Sequence, residues 1–288
     1  MLVMWSINYV AGKVALRHMD PFTLVAFRFE VAGVIMLAIY AAQKQRMRLR
    51  PGDIWTFTYL SFLGVVLNQG LFTVGLNYTT SSHSAVVVAI DPILILILAS
   101  AMRLERLTAG KIGGMALAFI GIVVLEAENG PHSPLLIGDL ISLGGALGFS
   151  FYAVFAKRIT QTYDAIALNT FNCAGAAILF LPLAIRQGIV LDWKSVGWAG
   201  WGAMMYMAIF SSVTAYLLFY WTLRYMDPSR VAAINYLQPI CVVVLASFFL
   251  AERPSRHLLA STALVLTGVW LAERGSSRTR SERESSSG

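Results

Sequence analysis

The stretch Ser84–Arg106, SAVVVAIDPILILILASAMRLER, is an apolar run about as long as a bilayer core is thick. Asp91-Pro92 interrupts the run in its middle, and Glu105-Arg106 ends it. The same pattern returns 147 residues later at Val231–Arg253, VAAINYLQPICVVVLASFFLAER, where Pro239 takes the place of the first proline. At this offset, 15 of the 52 positions from 75 to 126 are identical. Such an internal repeat predicts a duplicated membrane unit.

The composition also indicates an integral membrane protein. The chain has 288 residues, of which 57% are hydrophobic and 13% charged, and its mean hydropathy is +0.67. Soluble domains carry about 25% charged residues, so the chain leaves little room for a separate soluble domain. Basic cytoplasmic loops explain the formal charge of +7, and we expect no nucleic-acid partner. Cys173 and Cys241 lie in apolar runs and indicate neither a disulfide framework nor a metal cluster.

The hydropathy pattern predicts ten membrane helices separated by short polar joints. The predicted spans are 1–17, 21–42, 54–76, 82–102, 108–126, 136–156, 164–185, 197–223, 229–251 and 257–272. Of the 22 Lys and Arg residues, 15 lie on the side that holds both termini and 6 on the other side, which predicts that both termini are cytoplasmic. Because each half has five spans, an odd number, the second half is expected to be inserted upside down relative to the first.

We therefore expect an all-α integral membrane protein with ten transmembrane helices, arranged as two inverted five-helix repeats around a central cavity. The expected units are a first repeat at 1–126, a connecting loop at 127–137, a second repeat at 138–274 and a disordered cytoplasmic tail at 275–288. At an offset of 144, Trp5 aligns with Phe149 and Asn8 with Tyr152, which extends the repeat to the first span.

Polar side chains inside the spans are the candidates for a functional site, because each is costly to place in lipid and turns inward. The candidate substrate-binding residues, assigned by their spacing on helical faces, are Trp5, Asn8, Tyr9, Gln69, Asp91, Tyr152, Tyr216, Tyr220, Asn235 and Gln238. Pro92 and Pro239 are candidate hinges, since each removes a backbone hydrogen bond. Nucleotide, hydrolytic and metal-ligand motifs are absent from the sequence, so we expect no enzyme, no cofactor and no metal.

Several of these residues have a structural alternative. Asn, Gln and Tyr side chains can simply hydrogen-bond a neighbouring helix, and Trp5 can belong to an interfacial belt. Asp91 can cap the helix segment that starts at the adjacent proline. For Arg28 we expect a structural ion pair with another helix, and for Glu105-Arg106 and Glu252-Arg253 an anchoring role at span ends.

With these residues the chain resembles the EamA-type branch of the drug/metabolite transporter superfamily. The likeness is carried by Trp5-Ser6-Ile7-Asn8 with Lys13 in the first span, by Phe27-Arg28 in the second, and by the repeated Pro, Glu-Arg and Gly positions described above. The resemblance implies a basket-like bundle with a central substrate cavity, lined by the first, third, fourth, sixth, eighth and ninth helices. It also implies an inner-membrane carrier that exports amino acids or related metabolites.

The sequence thus predicts a secondary transporter that moves small amphipathic metabolites or drug-like molecules by alternating access. Its expected partners are a small-molecule substrate and membrane lipid. Proton-coupled antiport and passive facilitation both stay open, with Asp91 and Glu30 as the in-span groups able to bind a coupling proton. The alternative is a membrane sensor or assembly partner that binds solute without transporting it.

Overall fold

All secondary structure in the described part of the chain is helical in this computed structural model. The structure describes residues 1–44, 46–102, 108–127, 133–226, 231 and 237–286, with side chains as far as residue 272. The helices are α1 (Leu2–Leu16), α2 (Pro21–Ala42), α3 (Pro51–Tyr78), α4 (Ser81–Ala101), α5 (Ala109–Glu126), α6 (Pro134–Ile159), α7 (Ala165–Val190), α8 (Gly197–Tyr225), α9 (Gln238–Phe249) and α10 (Arg256–Ser286). This agrees with the all-α membrane fold expected from the composition.

Seven of these helices, α2 to α8, are long and apolar enough to cross a membrane. The other three are shorter: α1 has 15 residues, the described part of α9 has 12, and the apolar part of α10 is Arg256–Ala272. A span needs about 20 residues, so seven of the ten predicted spans are confirmed by length and composition. The helix α10 continues to Ser286. The composition of its last part, residues 275–286, predicts disorder, and that disorder stays a prediction.

Side-chain caps begin several helices at the joints that the sequence marks. Asp20 accepts hydrogen bonds from two backbone N–H groups in the first turn of α2, at 3.0 and 3.1 Å. Thr80, Ser133 and Asp164 cap α4, α6 and α7 in the same way. These oxygens satisfy N–H groups that have no partner inside a helix. The polar joints therefore set where each helix starts.

The helix α4 is broken where Asp91-Pro92 interrupts the apolar run. Its first segment ends at Val88, and after a turn at residues 89–90 the second segment runs from Asp91 to Ala101. The proline lies in the first turn of this second segment, where a missing N–H costs little. In the same way, Pro239 lies in the first turn of α9. The two prolines thus begin helical segments in corresponding positions.

Glycines bring α5 and α10 into backbone contact. A Cβ atom added to Gly114 would lie 2.4 Å from the carbonyl oxygen of Gly268, and one added to Gly268 would lie 2.5 Å from the backbone nitrogen of Ala118. Small residues allow this approach, which replaces hydrophobic burial as a source of helix association in lipid. The pair α5 and α10 is therefore held by close packing of the two backbones.

We predict that Gly114→Val lowers the free energy of unfolding by about 1–3 kcal/mol, because the new side chain would overlap the α10 backbone. The matched control is Gly113→Val, since a Cβ on Gly113 meets nothing within 4 Å. Thermal unfolding of the purified variants in detergent would measure both. Equal stability of the two variants would contradict the packing argument.

Candidate functional site

A cavity of about 80 Å³ lies between α1, α2, α3, α4, α6, α8 and α9. This space has room for several water molecules, since one water needs about 10–15 Å³. Six of these helices are those that the resemblance implies, and α2 is the addition. The lining residues are Trp5, Asn8, Tyr9, Arg28, Asn68, Gln69, Phe72, Ala85, Val88, Ala89, Asp91, Pro92, Ser142, Ala146, Phe149, Tyr216, Gln238 and Pro239.

Trp5 lies inside the helical bundle. Its indole Nε1 donates a hydrogen bond to the backbone carbonyl of Ser211 in α8, at 3.3 Å. Its ring meets the rings of Tyr216 and Phe149 edge-on, with centroids 5.6 and 6.5 Å apart. Edge-to-face contacts of this kind stabilise aromatic clusters. The contacts favour a cavity-lining role for Trp5 over a place in an interfacial belt.

Asn8 and Tyr9 extend the same face of α1. The Asn8 side chain is 5% exposed, and its Oδ1 has no hydrogen-bond partner among the described residues. Tyr9 packs edge-on against Phe72 of α3, with ring centroids 5.0 Å apart. An unsatisfied buried oxygen is costly. The amide of Asn8 is therefore available for a ligand in the cavity.

Two groups of opposite charge line the cavity without pairing. The Arg28 side chain is 1% exposed; its Nε donates to Ser212 Oγ at 2.8 Å, and its Nη1 has no partner among the described residues. Asp91 Oδ1 is inaccessible to solvent and also lacks a described partner. Within the described residues no ion pair involves either side chain. The structure therefore shows no ion pair of Arg28 with another helix in the described part of the chain.

The carboxyl group of Asp91 does not cap a helix. The residue before the second segment of α4 is Ile90, and no side chain caps that segment. Gln238, at the corresponding position 147 residues later, is 8% exposed and also lines the cavity. The capping alternative for Asp91 thus loses its support. Asp91 and Gln238 both line the cavity.

Side chains at corresponding repeat positions meet at this cavity. Gln69 and Tyr216 are 147 residues apart, and the Gln69 Nε2 group donates to the Tyr216 hydroxyl at 3.4 Å. Trp5 and Phe149, which align at an offset of 144, are in ring contact. Equivalent residues of two units meet only near an axis that relates the units. The cavity lies where such an axis would pass.

A family model described as EamA-like transporter family matches residues 1–126 and 136–273. The chain belongs to this family.

The curated relatives of this EamA chain include transporters from several organisms. An uncharacterized transporter, YvbV, from Bacillus subtilis (strain 168) is 24% identical over 274 residues, which cover 94% of this chain and 88% of YvbV. A probable amino-acid metabolite efflux pump from Escherichia coli (strain K12) is 24% identical over 282 residues, which cover 94% of this chain and 91% of the pump. An uncharacterized transporter from Archaeoglobus fulgidus is 26% identical over 273 residues, covering 94% and 95%.

A solved crystal structure shares the fold of this EamA chain. The TM-score is 0.71 at 20% sequence identity, and the match covers 96% of this chain and 95% of the other. At this identity the likeness concerns the fold alone. The family match and the common fold both extend over nearly the whole chain.

Tyr152 and Tyr220, two candidates from the sequence, do not line the cavity. Both are almost fully buried, and their hydroxyl groups hydrogen-bond each other. Asn172 of α7 donates to the Tyr220 hydroxyl at 3.1 Å and to the Tyr152 hydroxyl at 3.4 Å. Tyr220 is one helical turn, about 6 Å, beyond Tyr216, so the helical face was right but its depth was not. Asn235 lies outside the described residues.

Two π-helical segments lie at corresponding positions of the EamA halves, Phe62–Leu67 in α3 and Met207–Thr214 in α8. In the first, Gly64 lies against the Tyr152 ring, where a Cβ would be 2.3 Å from a ring carbon. In the second, Asn169 of α7 donates to the carbonyl oxygens of Ser212 and Val213 at 3.2 and 3.1 Å. Such segments often accompany functional sites. The first segment contacts α6 and the second contacts α7, so both segments join cavity-lining helices to their neighbours.

Sequence reasoning missed Arg28, Asn68 and Phe149 as lining residues. Phe149 could have been found, since it is the repeat counterpart of Trp5. Asn68 directly follows the π segment of α3, which shifts the helical phase away from the regular period. Its Nδ2 donates to the Gly145 carbonyl at 2.9 Å and its Oδ1 accepts from Gln69. It therefore positions Gln69 as well as lining the cavity.

Glu252, near the end of α9, caps the start of α4. Its carboxylate accepts hydrogen bonds from the backbone N–H groups of Ser81 (2.9 Å) and Ser82 (3.1 Å) and from the Ser82 hydroxyl (2.7 Å). A negative charge is favourable at a helix N-terminus. The corresponding Glu105-Arg106 lies outside the described residues. Glu252 thus joins the end of α9 to the start of α4.

We predict that Tyr152→Phe and Tyr216→Phe have different effects. Tyr152→Phe removes a partner from the buried Tyr220–Asn172 network and should lower the free energy of unfolding by about 1–3 kcal/mol. It should leave ligand affinity unchanged, because Tyr152 does not line the cavity. Tyr216→Phe removes a cavity hydroxyl and should weaken ligand binding with a smaller loss of stability.

Thermal unfolding and ligand-induced shifts of the melting temperature would separate the two effects. Weaker ligand binding in Tyr152→Phe, with full stability, would place Tyr152 in the binding site and contradict the structure.

Proposed function

We propose that this EamA chain is a secondary transporter of small zwitterionic metabolites, amino acids or closely related compounds, which it exports across the inner membrane by alternating access. The observation that carries the proposal is the pair of unpaired charged groups, Arg28 and Asp91, in one aromatic-walled cavity. The alternative, a membrane sensor or assembly partner, would use the same cavity for binding alone.

The two charges match the two ends of an amino acid. A guanidinium group binds a carboxylate with directed N–H donors, and Arg28 has an unused Nη1. The Asp91 carboxylate would accept from the substrate ammonium group. Aromatic walls suit an apolar or aromatic side chain between the charged ends. The aromatic lining residues are Trp5, Tyr9, Phe72, Phe149 and Tyr216.

The comparison with relatives supports the same substrate class. The Escherichia coli relative is named as a probable amino-acid metabolite efflux pump. Its name agrees with export and with an amino-acid-like substrate. The other relatives named above are uncharacterized transporters and add support for transport alone.

For the architecture we propose ten spans in two inverted repeats, at 1–126 and 138–274, joined by the loop 127–137. Support comes from the contact between Gln69 and Tyr216, from the two π segments and from the paired prolines. Asn235 corresponds to Val88, which lines the cavity, so Asn235 is proposed as a further lining residue.

Alternating access would use the breaks at Pro92 and Pro239 as hinges. Each proline lies in the first turn of a helical segment beside the cavity and, having no N–H, donates no backbone hydrogen bond to the preceding turn. Glu252 joins the two halves at one end of α4, and release of this cap would let that end open. The hinges and the cap would then move together.

The test is transport by proteoliposomes that contain only this protein. We predict that L-phenylalanine moves faster than phenylethylamine, which lacks the carboxylate, and faster than phenylpropionate, which lacks the ammonium group. Arg28→Gln should reduce the preference for L-phenylalanine over phenylethylamine by about 10- to 100-fold, and Asp91→Asn should reduce the preference over phenylpropionate by the same factor. The reason is that a hydrogen bond to a charged group contributes about 1.5–3 kcal/mol.

Glu30→Gln is the matched control, because Glu30 is an in-span carboxyl that does not line the cavity. Unchanged discrimination in Arg28→Gln and Asp91→Asn would remove the two charges from the binding site. Saturable binding without transport of any compound would favour the sensor. Repeating the assay with and without a pH gradient separates proton-coupled antiport from facilitation, and Asp91→Asn should abolish any coupling.

The proposed orientation has both termini in the cytoplasm. In a variant without Cys173 and Cys241, a cysteine at Arg48 should react with an impermeant thiol reagent only from the cytoplasmic side, and one at Ser195 only from the outside. Both positions are exposed, so access to the reagent is not limited by burial. Labelling of position 48 from outside would reverse the orientation.

A further inference from the structure

A histidine and two carboxylates from three helices meet outside the central cavity. His83 lies in the first turn of α4, Glu126 is the last residue of α5, and Asp139 lies near the start of α6. One ligand atom from each residue lies within 4.8 Å of those of the other two. None of the three lines the cavity. We name these residues the His83 cluster.

Asp139 is held in place by two hydrogen-bond partners. Its Oδ2 is 3.0 Å from Nδ1 of His83, and its Oδ1 accepts from the Thr79 hydroxyl at 2.6 Å. The Asp139 and His83 side chains are both buried. A carboxylate that is hydrogen-bonded on its second oxygen is oriented like the ligands of known metal sites. The pair is thus built into the fold before any ion arrives.

Glu126 brings a second, unsatisfied carboxyl group to the pair. Both of its oxygens are inaccessible to solvent, and the group they face is the carboxyl of Asp139, with no N–H or hydroxyl donor among the described residues. A buried carboxyl without a partner is costly. Two carboxylates this close also repel each other unless a cation or a proton compensates them. The cluster therefore calls for a positive charge between Glu126 and Asp139.

We propose that His83, Glu126 and Asp139 bind one divalent transition-metal ion of the zinc class. Imidazole nitrogen and carboxylate oxygen are both zinc ligands, and three protein ligands leave the fourth position to a water. Zinc bonds of about 2.0–2.2 Å at tetrahedral angles put ligand atoms about 3.4 Å apart, so small side-chain rotations would close the cluster on the ion. Calcium and magnesium prefer oxygen ligands throughout and fit the imidazole poorly.

The ion would tie the ends of α4, α5 and α6 together. The helix α4 also carries Asp91 and the break before it. A metal at its first turn would restrain the same helix that is broken beside the cavity. The sequence shows no metal-ligand spacing here, because His83, Glu126 and Asp139 are 43 and 13 residues apart and lie on separate helices.

The test uses the purified full chain in detergent, with any polyhistidine tag removed because such a tag binds zinc itself. We expect calorimetric titration to show one Zn²⁺ per chain and no comparable binding of Ca²⁺ or Mg²⁺. Zinc should also raise the melting temperature relative to protein kept in chelator. Glu126→Gln should weaken zinc binding at least tenfold without impairing folding, because the neutral Gln amide keeps the shape of the side chain and can donate to Asp139.

His83→Asn is the second variant and should remove the preference for Zn²⁺ over Ca²⁺. His18→Asn is the control, since His18 is exposed and outside the cluster, and it should bind zinc like the unaltered chain. The proposal is overturned if the unaltered chain binds no zinc, if Glu126→Gln keeps full affinity, or if Ca²⁺ binds as tightly as Zn²⁺. The first result would leave a shared proton as the compensating charge. No transport is measured, so failure here leaves the proposed function untouched.

Discussion

Inside a membrane, a backbone group that loses its helical partner must find another partner within the protein or face a water-filled cavity. Pro92 and Pro239 each cause such a loss in the middle of an apolar run, so the break in α4 and the first turn of α9 must face inward. Both prolines line the cavity together with the polar residues that precede them, Asp91 and Gln238. The requirement for satisfied backbone groups thus fixes where the site is, before its chemistry is considered.

The π segments follow from the same constraint. A wider helical turn leaves carbonyl groups poorly placed for the next N–H, and in α8 the amide of Asn169 supplies donors to two of them. In α3 the segment makes room for the Tyr152 ring beside Gly64. Polar residues in α7 and Tyr152 of α6 therefore support the site without lining it. The network of Tyr152, Tyr220 and Asn172 belongs to this support.

Much of the fold and part of the site could be predicted from the sequence, because hydropathy and repeats are periodic signals. The offset of 147 paired Asp91 with Gln238 and Gln69 with Tyr216, and all four line the cavity. Depth along a helix is not periodic, and for that reason the shared face of Tyr216 and Tyr220 does not tell which of the two lines the cavity.

A π segment or a three-helix cluster leaves still less trace in the sequence. The phase shift after Leu67 depends on how α3 packs against α6, and the His83 cluster depends on helix ends that only the fold brings together. The unpaired state of Arg28 likewise follows from what surrounds it in space, which no residue spacing encodes.

In the proposed repeat, Arg28 and Asp91 correspond to Asn172 and Gln238, so both charges belong to the first half. A transporter that exchanges the conformations of its halves would then hold both ends of a zwitterion on one half throughout the cycle. The second half would contribute neutral hydrogen bonds and aromatic contact, which can be broken and re-formed at lower cost than a buried charge pair.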